Sequence, residues 1–225
     1  MRRVLASLLF VCIVSASALA AEEDKSTALF NGKCIGCWEH FLVEDDVEKA
    51  DVWSVQDGLL ICKGEPMGYL CTKKEFTNFK LVVEWRWAPD KEPGNSGVLM
   101  RITGDPQALP KCVEAQLMHE NAGDVYGFHG FEVAGPEDRM VRVAGHKLGG
   151  DLLGVKKAAG NENPAGEWNK YEITLDGGDL TLVVNGKEVN KVTDCDVAAG
   201  KIGLQSEGGE IHFRTVSLTP IEKDE

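Results

Sequence analysis

Period-two alternation is the strongest constraint in this chain. In FKLVVEWRW, Phe79, Leu81, Val83, Trp85 and Trp87 fall on one side of an extended strand, and Lys80, Val82, Glu84 and Arg86 on the other. The pattern recurs three times. Val98, Met100 and Ile102 oppose Leu99 and Arg101; Val113, Ala115 and Leu117 oppose Glu114, Gln116 and Met118; Ile211 and Phe213 oppose Glu210, His212 and Arg214. No segment repeats with a period of 3.6. Turn chemistry separates the runs, at Asp57-Gly58, at Asp176-Gly177-Gly178-Asp179 and at Asn185-Gly186. Short alternating runs with such turns predict an all-β fold, an antiparallel β-sandwich or jelly roll.

The N-terminus reads differently. A basic start, MRR, precedes the apolar stretch VLASLLFVCIVSA and a small-residue site ending at Ala20. This is the pattern of a secretory signal peptide over residues 1–20, too short and wrongly flanked for a spanning helix. The expected mature chain, 21–225, is then one exported domain with no later membrane span. The formal net charge is −12, and losing Arg2 and Arg3 takes it to about −14, which disfavours nucleic acid and anionic membranes as partners.

Six of the seven cysteines lie beyond the leader: Cys34, Cys37, Cys62, Cys71, Cys112 and Cys195. An exported chain permits disulfides, and spacing alone leaves their pairing open. Cys62 and Cys71 flank KGEPMGYL symmetrically, so a hairpin bridged by these two is one expectation. Cys34-Ile35-Gly36-Cys37 lacks both a thioredoxin-like setting and a second zinc-binding pair, which leaves a local disulfide or free thiols. From Asn121 to Trp168 the chain is Gly-rich and reads as one long functional loop carrying His129, His146 and Asp151.

The polar faces carry Glu, Arg, Gln and His. Read singly, each is a solvated strand face. Read together they describe a concave sheet lined with planar polar groups, suited to bidentate hydrogen bonds with sugar hydroxyls.

The ordered set ALFNGK, WSVQDGLL, FTNFKLVVEWRW, GNSGVLMR, VEAQL, GEWNKYEI, VNGKEV and KIGLQSEGGEIHFRTVSL resembles the 3-keto-disaccharide hydrolase domain family. The resemblance implies a concanavalin A-like jelly roll of the lectin and glucanase type, found in exported bacterial proteins. It also implies a pocket on the concave sheet, matched here by Glu84, Arg86, Asn95, Ser96, Arg101, Glu114, Gln116, Gln205, Glu207 and Arg214. Where the family strand often continues to an aspartate, this chain has His119 and Glu120.

The implied substrate is a glycoside oxidised at C3. The ketone acidifies the C2 hydrogen, a base removes it, the enolate expels the C1 substituent, and water adds afterwards. Base candidates are Glu114, Glu207, His119, His129 and His146. Arg86 and Arg101 are the cations expected at the enolate oxygen, with a divalent metal on His and carboxylate ligands as the alternative. The expected catalytic groups are Glu114, His119, Arg101 and Glu207; His146 joins the remaining residues as a substrate contact. Direct glycoside hydrolysis by paired carboxylates and a non-catalytic, lectin-like carbohydrate-binding module are the competing readings; the glucanase spacing E-x-D-x-x-E is absent.

Overall fold

The computed structural model describes residues 26–222. The signal-peptide segment lies outside the described residues. Among the described residues sixteen strands run in chain order: β1 (Thr27–Phe30), β2 (Trp38–Leu42), β3 (Trp53–Gln56), β4 (Leu59–Cys62), β5 (Gly68–Thr72), β6 (Phe79–Trp87), β7 (Gly97–Thr103), β8 (Lys111–Gln116), β9 (Val125–Gly127), β10 (Met140–His146), β11 (Gly150–Val155), β12 (Asn169–Asp176), β13 (Asp179–Val184), β14 (Lys187–Val192), β15 (Lys201–Ser206) and β16 (Ile211–Pro220). They form two eight-stranded antiparallel sheets. The first runs β14-β13-β12-β6-β16-β4-β3, with β1 added on β16; the second runs β10-β11-β9-β8-β7-β15-β5-β2. This is an antiparallel sandwich of the jelly-roll type. Among the described residues no helix is long and apolar enough to cross a membrane.

Turn chemistry behaves as the sequence dictates. Asp57 and Gly58 have φ of 51° and 78°, and Asn185 and Gly186 have 49° and 79°. Both central residues are left-handed, the geometry that lets a two-residue loop follow strand twist. These loops join β3 to β4 and β13 to β14.

The inner faces meet in one apolar layer. Leu81, Val83, Trp85 and Trp87 of β6 pack there with Val98, Met100, Val113 and Ala115 from the opposite sheet. The outer faces differ between sheets. In β6 the residues between the apolar ones are partly or fully exposed, a half-wet strand. In β8 and β15 every residue but the first is buried. A second apolar cluster, including Tyr69, Leu99, Ile102, Cys112, Phe128 and Leu152, covers that outer face. The central polar groups of the second sheet therefore lie under a lid of side chains, and the solvated-face reading fails for them.

Three sequence expectations are corrected. Cys62 and Cys71 do not flank a hairpin, because β4 belongs to the first sheet and β5 to the second. Cys62 sits in the inter-sheet core and Cys71 in the outer cluster, and all six described cysteines are free thiols. The stretch 121–168 is not a single loop, since it contains β9, β10 and β11, which extend the second sheet. Finally, alternation breaks inside β7. From Met100 to Thr103 that strand advances three residues while β8 retreats two, from Val113 to Lys111. The extra residue is Arg101, with φ of 54°, and a bulge of this kind inverts the facing of the residues after it. Ile102 thus joins Leu99 in the outer cluster, and Arg101 turns away from it.

Candidate active site

The cleft of interest opens on the outer face of the second sheet. It has a volume of about 170 Å³ and is bordered by Glu114, Gln116, Asn95, Glu207, Tyr126, Phe128 and His146, with Leu109 and Leu152. β8 supplies the floor. Glu114 and Gln116 point the same way because they are two residues apart on one strand. Glu114 is only 2% exposed, and its Oε1 is buried with no hydrogen-bond partner. Gly97, in the next strand, makes room for it: a Cβ on Gly97 would lie 2.0 Å from that oxygen. Gln116 is partly committed, its Oε1 accepting from the Leu117 and Met118 amides at 2.9 and 2.8 Å.

Two loops close one end of the cleft. Glu207 comes directly after β15, and Asn95 precedes β7. Asn95 Nδ2 donates to Glu207 Oε2 at 2.7 Å. The loops interlock through their backbones: the Asn95 amide donates to Gly208 O at 2.8 Å, and a Cβ on Gly94 would lie 2.0 Å from the same oxygen. Only glycine permits that approach. Gln205, fully buried on β15, lies near enough to Glu207 to favour its anion, yet neither of its amide atoms makes a well-formed hydrogen bond.

Burial governs the electrostatics. Desolvation holds the Glu114 carboxyl well above the usual carboxylate range, and the nearby Glu207 and Asp124 push it further. Burial also raises the Glu207 carboxyl, with the Gln205 amide opposing. The two acids share a cleft but not an environment, because Glu207 has Asn95 and Gln205 beside it and Glu114 Oε1 has nothing. A neutral floor acid and a more readily ionised rim acid form an acid–base pair in waiting.

Residues 25–219 match the model of the 3-keto-alpha-glucoside-1,2-lyase-like domain. The chain belongs to this family. A search of curated proteins finds no relative of it. Among solved structures, the chain is similar to a candidate glycosyl hydrolase from Parabacteroides distasonis, at 21% identity and TM-score 0.64, covering 90% of this chain and 97% of the other. A β-glucanase from Bacillus licheniformis matches at 13% identity and TM-score 0.57, over 87% and 98% of the two chains. The carbohydrate-binding module CBM66 from Bacillus subtilis matches at 10% and 0.55, over 80% and 94%. At these identities the structural likeness establishes the jelly-roll fold, and the family match adds a carbohydrate-related function.

The fold gathers only some of the residues expected from sequence. Asn95, Glu114, Gln116, His146 and Glu207 line the cleft. His146, at the end of β10, accepts the Gly149 amide on Nδ1 at 3.0 Å, so its neutral ring carries the proton on Nε2. Ser96 is spent on structure, its hydroxyl donating to Gln205 O at 2.8 Å. His119 does not border the cleft; it lies beyond β8, its amide donating to Gly94 O at 3.1 Å. His129 is held by Leu109 O and Leu148 O at 2.8 and 3.0 Å.

Arg101 is absent from the cleft. Its guanidinium, fully buried, donates to Thr77 O at 2.7 and 3.1 Å, to Gly177 O at 2.8 Å, and to Asp196 O. The bulge in β7 aims it at the loops around the sandwich edge, where it ties three segments together. Glu84, Arg86 and Arg214 are on the other sheet, on its outer face. There two guanidinium groups lie over the Trp168 ring, Arg86 4.7 Å and Arg214 4.6 Å from its centre. Arg214 also donates to Glu84 at 2.9 Å. Alternation told which residues leave the core, but not which of two outer faces receives them.

The cleft also contains groups that sequence reasoning missed: Tyr126, Phe128, Leu109 and Leu152. Tyr126 and Phe128 are two apart in the stretch treated as a loop, and Val125-Tyr126-Gly127-Phe128 does carry a short alternation that signals a strand. Among the described residues no three His, Cys, Asp or Glu side chains converge to hold a metal ion.

Proposed function

We propose that this chain cleaves the glycosidic bond of 3-keto-glycosides by elimination and then addition of water. Glu207 is the base. Raised by burial yet oriented by Asn95, its carboxylate takes the C2 proton that the C3 ketone has acidified. Glu114 is the electrophile: its carboxyl, kept neutral by burial, donates a hydrogen bond to the C3 oxygen as negative charge develops there. The enolate then expels the C1 oxygen. Water adds to C1, its lost proton making up the one the expelled oxygen gains, and Glu207 returns its proton to C2. The aromatic wall at Tyr126 and Phe128 suits the C–H face of a sugar ring.

The observation that carries this reading is the pair Glu114 and Glu207 in one cleft, both shifted toward the neutral form but differently surrounded. The family match supports the substrate class. The basic, apolar and small-residue pattern at the N-terminus supports export, so the reaction is proposed to occur outside the cytoplasm. The test is turnover by purified protein of a 3-keto-glucoside and of the same glucoside unoxidised, in EDTA and again with Mn, Co, Zn or Ca. Turnover of the keto substrate alone is expected, with Glu207→Gln lowering it by about 10²–10⁴-fold. Cleavage of the unoxidised glycoside would point to direct hydrolysis. Binding of either sugar without turnover would identify a carbohydrate-binding module, the role that the name of CBM66 gives to a chain of the same fold.

A further inference from the structure

Tyr126 has no part in the proton transfers assigned to Glu114 and Glu207, yet it stands directly across from Glu114 in the β8–β9 register and borders the same cleft. Cross-strand neighbours of this kind share a face and have adjacent side chains. Its ring lies over Gly154 of β11, where a Cβ would come within 2.7 Å of it. It also runs nearly parallel to Phe128, at 14° and 6.4 Å between centroids. The ring is therefore fixed on both sides.

Its hydroxyl is held as well. Lys156 Nζ lies 2.6 Å from the phenol oxygen and 2.8 Å from Asp124 Oδ2. Asp124 is 2% exposed, and its other oxygen accepts the Lys157 amide at 2.8 Å. An ammonium group donates and never accepts. The phenol oxygen is thus the acceptor from Lys156, and the phenol's own hydrogen is directed elsewhere. Burial keeps that hydrogen on the oxygen at neutral pH, with the ammonium opposing.

We propose that Tyr126 is the acid that protonates the leaving oxygen, and that Lys156 and Asp124 are its positioning residues. The proposal rests on the keto-glycoside reading. As Glu207 takes the C2 proton, the C2–H pair becomes the C1–C2 double bond by way of the enolate. The C1–O pair departs with the leaving oxygen, which takes the phenolic proton. The phenolate that remains is neutralised by Lys156. In the second half, a water oxygen bonds to C1, the double-bond pair returns to C2 and accepts the proton from Glu207, and the phenolate takes the other water proton. Both groups end as they began, with one water consumed.

A leaving-group comparison tests this. Wild type, Tyr126→Phe, Lys156→Met, Lys156→Arg and His146→Ala are assayed on the methyl and the 4-nitrophenyl 3-keto-glucosides. A nitrophenolate leaves without a proton, and methoxide does not. Tyr126→Phe is expected to slow the methyl substrate by about 10²–10⁴-fold and the nitrophenyl substrate by less than about tenfold. Lys156→Met is expected to show the same selective loss to a smaller degree, partly restored in Lys156→Arg. Lys156 is half exposed, so its variants carry the test even if Tyr126→Phe fails to fold. Equal losses on both substrates, or a selective loss in His146→Ala instead, would overturn the proposal and leave the keto-glycoside reading standing. Wild type that cleaves neither substrate overturns that reading and the proposal with it.

Discussion

Glu114→Gln separates the cost of the site from its use. The side chain is 2% exposed and its Oε1 has no partner, with burial first and then Glu207 and Asp124 disfavouring its anion. A carboxyl whose folded pKa is raised costs nothing below its unfolded value, the 4.5 of a free glutamate, where both states are protonated. Above that value the unfolded chain loses the proton and the folded chain keeps it. Stability then falls by about 1.4 kcal/mol for each pH unit until the folded pKa is reached. Glutamine has nearly the same shape and no proton to lose. At pH 8 the variant is expected to be more stable by about 1.4 kcal/mol for each pH unit by which burial lifts the folded carboxyl above the free one. That corresponds to about 2–4 °C in Tm for each kcal/mol in a domain of this size. At pH 4 the advantage should vanish. Thermal melts of both proteins from pH 4 to pH 8 are the assay. An advantage that is the same at both ends, or a variant less stable at pH 8, would refute the claim that the floor carboxyl is strained by its burial. Turnover adds a second readout. The glutamine amide still donates to a developing oxyanion, so Glu114→Gln should retain far more activity than Glu114→Ala, which loses on the order of 10²–10³-fold.

The remaining sites give sharper contrasts. Arg101→Met leaves the Thr77, Gly177 and Asp196 carbonyls without their donor; urea titration should show a loss of at least about 3 kcal/mol, while kcat and KM of the folded fraction stay at wild-type values. Gly97→Ala introduces a methyl group 2.0 Å from Glu114 Oε1, and displacing that carboxyl should lower kcat by roughly 10²-fold with KM nearly unchanged. Trp168→Ala removes two cation–π contacts on the far sheet. A stability loss of about 1–2 kcal/mol with turnover unaffected is expected; a fall in turnover would mean that the Arg86–Arg214 face belongs to the site after all.

The fold was legible because alternation and turn chemistry are local. Each strand of FKLVVEWRW type must turn its apolar side to a core, and left-handed Asp-Gly and Asn-Gly pairs must turn the chain back. Those rules act within a few residues, so they survive without knowledge of partners. Glu114, Gln116 and Asn95 were found for the same reason, as polar groups opposite apolar ones or in a turn beside them.

Local pattern was enough to say which side chains leave the inner core and where the chain reverses. Only packing settled where those side chains arrive. The sandwich has two outer faces, and alternation is blind to the choice, so Glu84, Arg86 and Arg214 went to one sheet and Glu114 and Glu207 to the other. A single inserted residue in β7 reversed the local phase and turned Arg101 from an expected site cation into a tie among backbone carbonyls. Tyr126 entered the cleft only because β9 pairs with β8, a contact between strands. Phase errors and strand partners are long-range properties, fixed by packing energies summed over a whole sheet, and no window of a few residues contains them.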